Sequence, residues 1–201
     1  KNVLVGGSSG DALTTGELNV AMGNEALSGD TAGNKSVAIG GSALKAQNFS
    51  TSTVVGNVAV GIFAGTAITT GSLNTLIGGF AGDALTDSDT NVAVGANALS
   101  SDTLGQKTVA IGYKVLETQN FTTATDTYNT AVGYGTGTAV TTGIKNTIIG
   151  GLAGDAMTIG FNNTVVGYDA LGANRNSGAN VAIGYEALKV FDNTTSASHF
   201  N

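Results

Sequence analysis

The sequence predicts an all-β chain, a parallel β-solenoid (β-roll) of about eleven 17- or 21-residue coils. Three observations carry that reading. A five-residue word recurs eleven times: usually Asn, then Val or Thr, usually Ala, then Val, Ile or Met, then Gly. Its first five starts, Asn2, Asn19, Ser36, Asn57 and Asn74, are separated by intervals of 17, 17, 21 and 17. The same four intervals lead on to Asn146, and two more of 17 reach Asn163 and Asn180. The chain also has 31 Gly among 201 residues, with 41% hydrophobic and only 11% charged side chains, which suits short units that share one core. Disorder needs low hydrophobicity, and collagen needs abundant Pro, which is absent.

Each unit opens on a strand. The residues on either side of the word's middle position are Val or Thr and then Val, Ile or Met, and residues two apart share a strand face. These pairs are expected to fill the core. The middle residue points the other way, and it is Ala in seven words and Leu4, Leu76, Ile148 or Val165 in the rest. An apolar second face is expected to be buried against another copy of the chain, since solvated strand faces alternate to polar residues.

The closing Gly is present in every word: Gly6, Gly23, Gly40, Gly61, Gly78, Gly95, Gly112, Gly133, Gly150, Gly167 and Gly184. It predicts a sharp turn or a close backbone approach. A second apolar pair follows, as in Ala26-Leu27 and Ala98-Leu99, and is read as a second short strand before a polar loop. In other units the pair arrives three positions later, as in Ala84-Leu85. The opening Asn recurs at Asn2, Asn19, Asn57, Asn74, Asn91, Asn129, Asn146, Asn163 and Asn180, with Ser36 and Thr108 in its place twice, and predicts an amide ladder along the rod.

The four intervals close a cassette with a period of 72: GGFAGDAL at Gly78 returns as GGLAGDAM at Gly150, and AQNFST at Ala46 as TQNFTT at Thr118. Residues 1–201 therefore read as one continuous solenoid with cassettes 2–73, 74–145 and a partial 146–201. With no atypical capping repeat in sight, the chain is expected to be an excerpt of a longer array whose anchor and tip lie elsewhere.

The words NVAIG, SVAIG and NTAVG, and NTAVGY at Asn129 and NVAIGYEAL at Asn180, resemble the head repeats of YadA-type trimeric autotransporter adhesins. They are also similar to repeats of bacterial surface and phage tail-fibre-like proteins. The resemblance implies an obligately trimeric, extracellular fibre or adhesin built on a left-handed parallel β-roll. The 17- and 21-residue units depart from that family by being longer than those typical of its heads.

Little in the sequence points to catalysis. The single His, His199, has no counterpart a cassette earlier at Tyr128 and no Cys accompanies it, so a nucleophilic triad and a zinc site both lack ligands. Asp11, Asp83 and Asp155 share one cassette position, about 19 Å apart along a stacked rod, too far for an acid–base pair. Asp87 and Asp89 read as solvated loop residues. Asp30 and Asp102 are weak candidates for structural calcium, each offering a single carboxylate beside a Gly- or Ser-rich turn. No other cofactor or metal is expected. Asn34, Asn48, Asn120, Asn162 and Asn193 begin glycosylation sequons.

Eight basic against fourteen acidic residues argue against nucleic acid, and no apolar run is long enough for membrane insertion. The sequence thus reads as a non-enzymatic structural module of an extracellular fibre or adhesin on a cell surface or virion. It is expected to self-associate as a homotrimer or filament. Any host surface or glycan receptor would be met by regions outside this stretch. The alternatives are a phage tail-fibre or tailspike rod that binds or hydrolyses polysaccharide, and an ice- or ligand-binding solenoid. The second would need Thr at one position in consecutive coils, which Thr14-Thr15 and Thr69-Thr70 do not provide.

Overall fold

A computed structural model of the chain describes residues 1–176 and 178–190. His199 and the sequon at Asn193 lie outside the described residues. The strands are β1 (Val3–Val5), β2 (Val20–Met22), β3 (Gly33–Asn34), β4 (Val37–Ile39) and β5 (Thr53–Val54). Then follow β6 (Val58–Val60), β7 (Thr75–Ile77), β8 (Val92–Val94), β9 (Gly105–Gln106) and β10 (Val109–Ile111). β11 (Thr125–Asp126), β12 (Thr130–Val132), β13 (Thr147–Ile149), β14 (Thr164–Val166) and β15 (Val181–Ile183) complete the order.

The eleven three-residue strands are the recurring words, and they form one parallel sheet in the order β1-β2-β4-β6-β7-β8-β10-β12-β13-β14-β15. Register is strict, so that equivalent residues face one another: Val3 pairs Val20, Ala38 pairs Ala59, and Ala110 pairs Ala131. The fold is a parallel β-solenoid of eleven turns. The two longer coils absorb their extra residues in the loops that follow Gln47 and Gln119, and there the two-residue strands pair β3 with β5 and β9 with β11.

The word Gly turns the corner and allows close stacking. Gly95 has φ +130°, and a Cβ on it would come within 2.6 Å of the Gly112 carbonyl carbon in the next coil. The apolar pair beyond it, expected as a strand, is a turn. Leu27, Leu44, Leu99 and Leu116 sit at φ 50–55°, in the left-handed region. They still bond along the rod: Leu27 N–H donates to Ala43 O (2.9 Å) and Leu99 N–H to Val115 O (3.0 Å).

The core reverses the expected faces. The middle residues point inward: Ala21, Ala38, Ala59, Leu76, Ala93, Ala110, Ala131, Ile148 and Val165 are fully enclosed. The Val/Thr and Val/Ile pairs point out. The reason is volume. The opposite wall of each coil delivers a Leu or its equivalent, and little more than a methyl group fits between the two walls. The walls compensate: Ala93 shares its coil with Leu99, whereas Leu76 fills the space left by Gly82 in its own coil and by Gly65 in the coil before. A Cβ at Gly82 would lie 2.8 Å from Leu76 Cδ2 and 2.8 Å from Leu85 Cδ1.

Candidate functional site

Because the sheet is in register, its outer face is two long rows of identical type. One row runs Val20, Val37, Val58, Thr75, Val92, Val109 and on through Thr130, Thr147 and Thr164. The second runs Met22, Ile39, Val60, Ile77, Val94, Ile111, Val132, Ile149 and Val166. Neither row carries a charge, and Ile77, Ile111 and Ile149 remain 38–40% exposed. Strands about 4.8 Å apart and about 10 Å long make this a face about 50 Å by 10 Å. That matches the largest apolar patches found on monomers and exceeds what scattered surface residues produce. Just past the Gly corner exposed rings stack in pairs: Tyr113 on Tyr134 at 5.4 Å and Tyr168 on Tyr185 at 5.7 Å between ring centres. Phe63 and Phe80 stack one position further along, at 5.3 Å.

Inside the rod, the Asn series forms the expected ladder. From Asn2 to Asn163, each ladder Asn accepts, on its side-chain oxygen, the backbone N–H of the equivalent residue one coil on. Asn74 N–H donates to Asn57 Oδ1 at 2.9 Å and Asn91 N–H to Asn74 Oδ1 at 2.9 Å. Its amide nitrogen caps a loop carbonyl of its own coil, as Asn57 Nδ2 does at Gly71 O (2.7 Å). From Asn19 to Asn180 these side chains are buried, while Asn2 in the first coil is exposed.

Ser36 and Thr108 are too short to continue the ladder, and sequence reasoning missed what does. Gln47 and Gln119 enter from the long coils. Gln47 Nε2 donates to Ser36 Oγ (3.1 Å) and to Asp30 Oδ2 (2.6 Å), while its carbonyl accepts Asn57 Nδ2 (2.9 Å). Gln119 repeats this with Thr108, Asp102 and Asn129 at 3.2, 2.6 and 2.8 Å. The signal was present in the recurring AQNFST and TQNFTT.

The calcium candidates are thereby reassigned. Asp30 and Asp102 are fully buried, and their carboxylates accept from N–H donors: Gly33 N and Phe49 N on Asp30 Oδ1, Gly105 N and Phe121 N on Asp102 Oδ1. They close loops from within, both oxygens of each carboxylate being taken up by N–H and amide donors. Among the described residues no three His, Cys, Asp or Glu side chains gather as a metal would require.

The other acids stay apart. Asp11, Asp83 and Asp155 occur four coils from one another, as their spacing implied. Burial pushes the Asp83 carboxyl up from its ordinary value, and its Oδ1 is enclosed without a hydrogen-bond partner. Burial, with the neighbouring Asp169 carboxylate second, does the same to Asp155. The hydroxyls of Thr70 and Thr69 instead hold Asp87 below the usual range. Of the sequon residues, Asn48 and Asn120 are exposed and accept from Thr31 and Thr103 hydroxyls at 3.1 and 3.0 Å, Asn162 is exposed, and Asn34 donates to Ser52 Oγ at 2.9 Å.

No family model, no curated protein and no solved structure matches the chain.

Proposed function

We propose that the chain is a stiff rod module of an extracellular fibre or adhesin, on a cell surface or virion, which associates side by side with further copies of itself. The role is mechanical rather than catalytic. The observation that carries this reading is the uncharged Val/Thr and Val/Ile sheet face. Its interior counterpart, the Ala-rich face first expected at the interface, is consumed by the core. The occupant that suits the outer face is a second copy. Its ridges recur at the strand spacing, a period that another copy matches along its whole length. The acidic excess of the chain lies off this face, so copies meet without like-charge repulsion.

The resemblance of NVAIG and NTAVGY to YadA-type head repeats supports the same reading and favours three copies. A face of about 500 Å² falls below the roughly 800 Å² per partner of standard interfaces. Association is therefore expected to strengthen as coils are added.

Light scattering on the 201-residue chain and on a longer array of three or four cassettes tests this reading. A mass of three chains supports the trimer. Two chains would retain the face and overturn the threefold assembly. A single-chain mass at every length and concentration would overturn the self-association altogether.

A further inference from the structure

The loop segments before β13 and β14 enclose a surface hollow of about 340 Å³, lined by Thr142, Ile144, Lys145, Ile159, Phe161 and Asn162. It breaks the cassette. At the equivalent place one cassette earlier stand Ser72, Leu73, Asp87 and Asp89. There Asp87 accepts from the Thr69 and Thr70 hydroxyls, and Asp89 accepts from Ser72 N (2.7 Å) and Ser72 Oγ (2.9 Å). In the later cassette Ser72, Asp87 and Asp89 become Ile144, Ile159 and Phe161, and Leu73 becomes Lys145. A loop knit by two carboxylates has turned into an apolar recess with a cation at its edge.

The recess is held open by its surroundings. The Phe161 ring lies on the backbone of Gly178, where a Cβ would come within 2.8 Å of it. Asn162 N–H donates to Ile144 O at 3.1 Å, which ties the two segments together. Lys145 is exposed and forms no ion pair among the described residues, unlike Lys45, Lys107, Lys114 and Lys189.

We propose that this hollow binds a carboxylate-bearing sugar unit. The sugar ring lays its C–H face on Phe161 and Ile159, where the negative face of the aromatic ring attracts polarised hydrogens. Its carboxylate meets the Lys145 ammonium, and its hydroxyls meet Thr142 and Asn162. The volume falls within the range of small-ligand sites. A bare phosphate has no use for three apolar walls, and a neutral sugar leaves the ammonium unmatched. The site is built by one chain and needs no partner copy, so it can be tested separately from self-association.

Calorimetric titration of the 201-residue chain with tetragalacturonate and with a glucuronate tetrasaccharide tests the site, with neutral maltotetraose and phenylacetate as comparisons. At least one uronate is expected to bind, and Lys145→Gln to weaken it about tenfold, the loss of one charge-assisted contact. Ile159→Asp with Phe161→Asp restores the residues this loop carries at 87 and 89, so it is expected to abolish binding while the melting temperature holds. Ile77→Lys, on the sheet face, is expected to leave the affinity unchanged. The proposal is overturned by no binding of either uronate, by equal binding of maltotetraose, by tighter binding of phenylacetate, or by an unaffected Lys145→Gln variant.

Discussion

Gln47 and Asn57 share a hydrogen bond of 2.9 Å that carries the interior amide ladder past a coil with no ladder asparagine. The same glutamine donates to Asp30 and Ser36, so its removal takes one partner from each of three buried groups. Gln47→Leu is expected to destabilise the array by about 3 kcal/mol, within the range for breaking a buried network around a charge. Repeat arrays do not unfold as one unit. The measurement is therefore amide hydrogen exchange, which should rise in residues 30–57 while residues 74–95 keep their protection. Uniform exchange across the rod would contradict the bridging role.

The two faces of the sheet separate cleanly in neighbouring residues. Ala110 is enclosed and Ile111 is 38% exposed. Ala110→Leu is expected to cost about 1–3 kcal/mol through overpacking, read by thermal melting. Ile111→Lys should shift stability by less than about 0.5 kcal/mol and lower the associated mass in light scattering. Reversed effects would restore the Ala face as the interface.

Gly95 stands at φ +130° against the Gly112 carbonyl. Gly95→Val adds both backbone strain and a clash with the next coil, and is expected to cost more than about 3 kcal/mol. Gly167, at φ +139° beneath Gly184, should respond alike. An unchanged melt of either variant would sink the assignment of these glycines to the corner.

The half-buried Asp83 carboxyl couples stability to pH. Its pKa is raised above the ordinary aspartate value of 3.8 by burial, so the folded chain holds the proton more tightly than the unfolded one. Its contribution to stability is fully present below pH 3.8 and is lost as pH rises through the folded value. Asp83→Asn removes the ionisation, and is expected to stabilise at pH 7 by no more than about 0.5 kcal/mol, because solvent screens a half-exposed carboxylate. That advantage should vanish when melts are repeated below pH 3.8, and an advantage independent of pH would contradict the cause given.

How much was legible in the sequence follows from what each signal encodes. The coil number, the parallel stacking, the Gly corners and the Asn ladder were readable, because each is a fixed residue type at a fixed spacing. Which sheet face lies inside was not. Alternation separates two faces without ranking them, and greater hydrophobicity pointed to Val and Ile. Volume decided otherwise, and its trace was the exchange of Ala93 with Leu99 for Leu76 with Gly82. The second strand was misread because Leu27 and its equivalents adopt a left-handed conformation that Leu seldom takes. The bridging glutamines and the recess at Phe161 depend on contacts between coils. Only deviations within an otherwise regular cassette mark them.

Among the described residues, twenty-five other than Gly hold positive φ angles, Phe63, Thr90 and Leu171 among them. Each such residue costs roughly 1–2 kcal/mol in an isolated chain, so no coil can order alone. A coil takes shape only on a finished neighbour that offers it hydrogen bonds, and it comes away only when that neighbour is lost. Pulled by its ends, the molecule should therefore yield from its termini in discrete events rather than all at once. Each event would release one coil, about 58 Å of extended chain for a 17-residue coil and about 71 Å for a 21-residue one. Such a rod dissipates work by shedding turns one at a time, while the turns still stacked keep their structure.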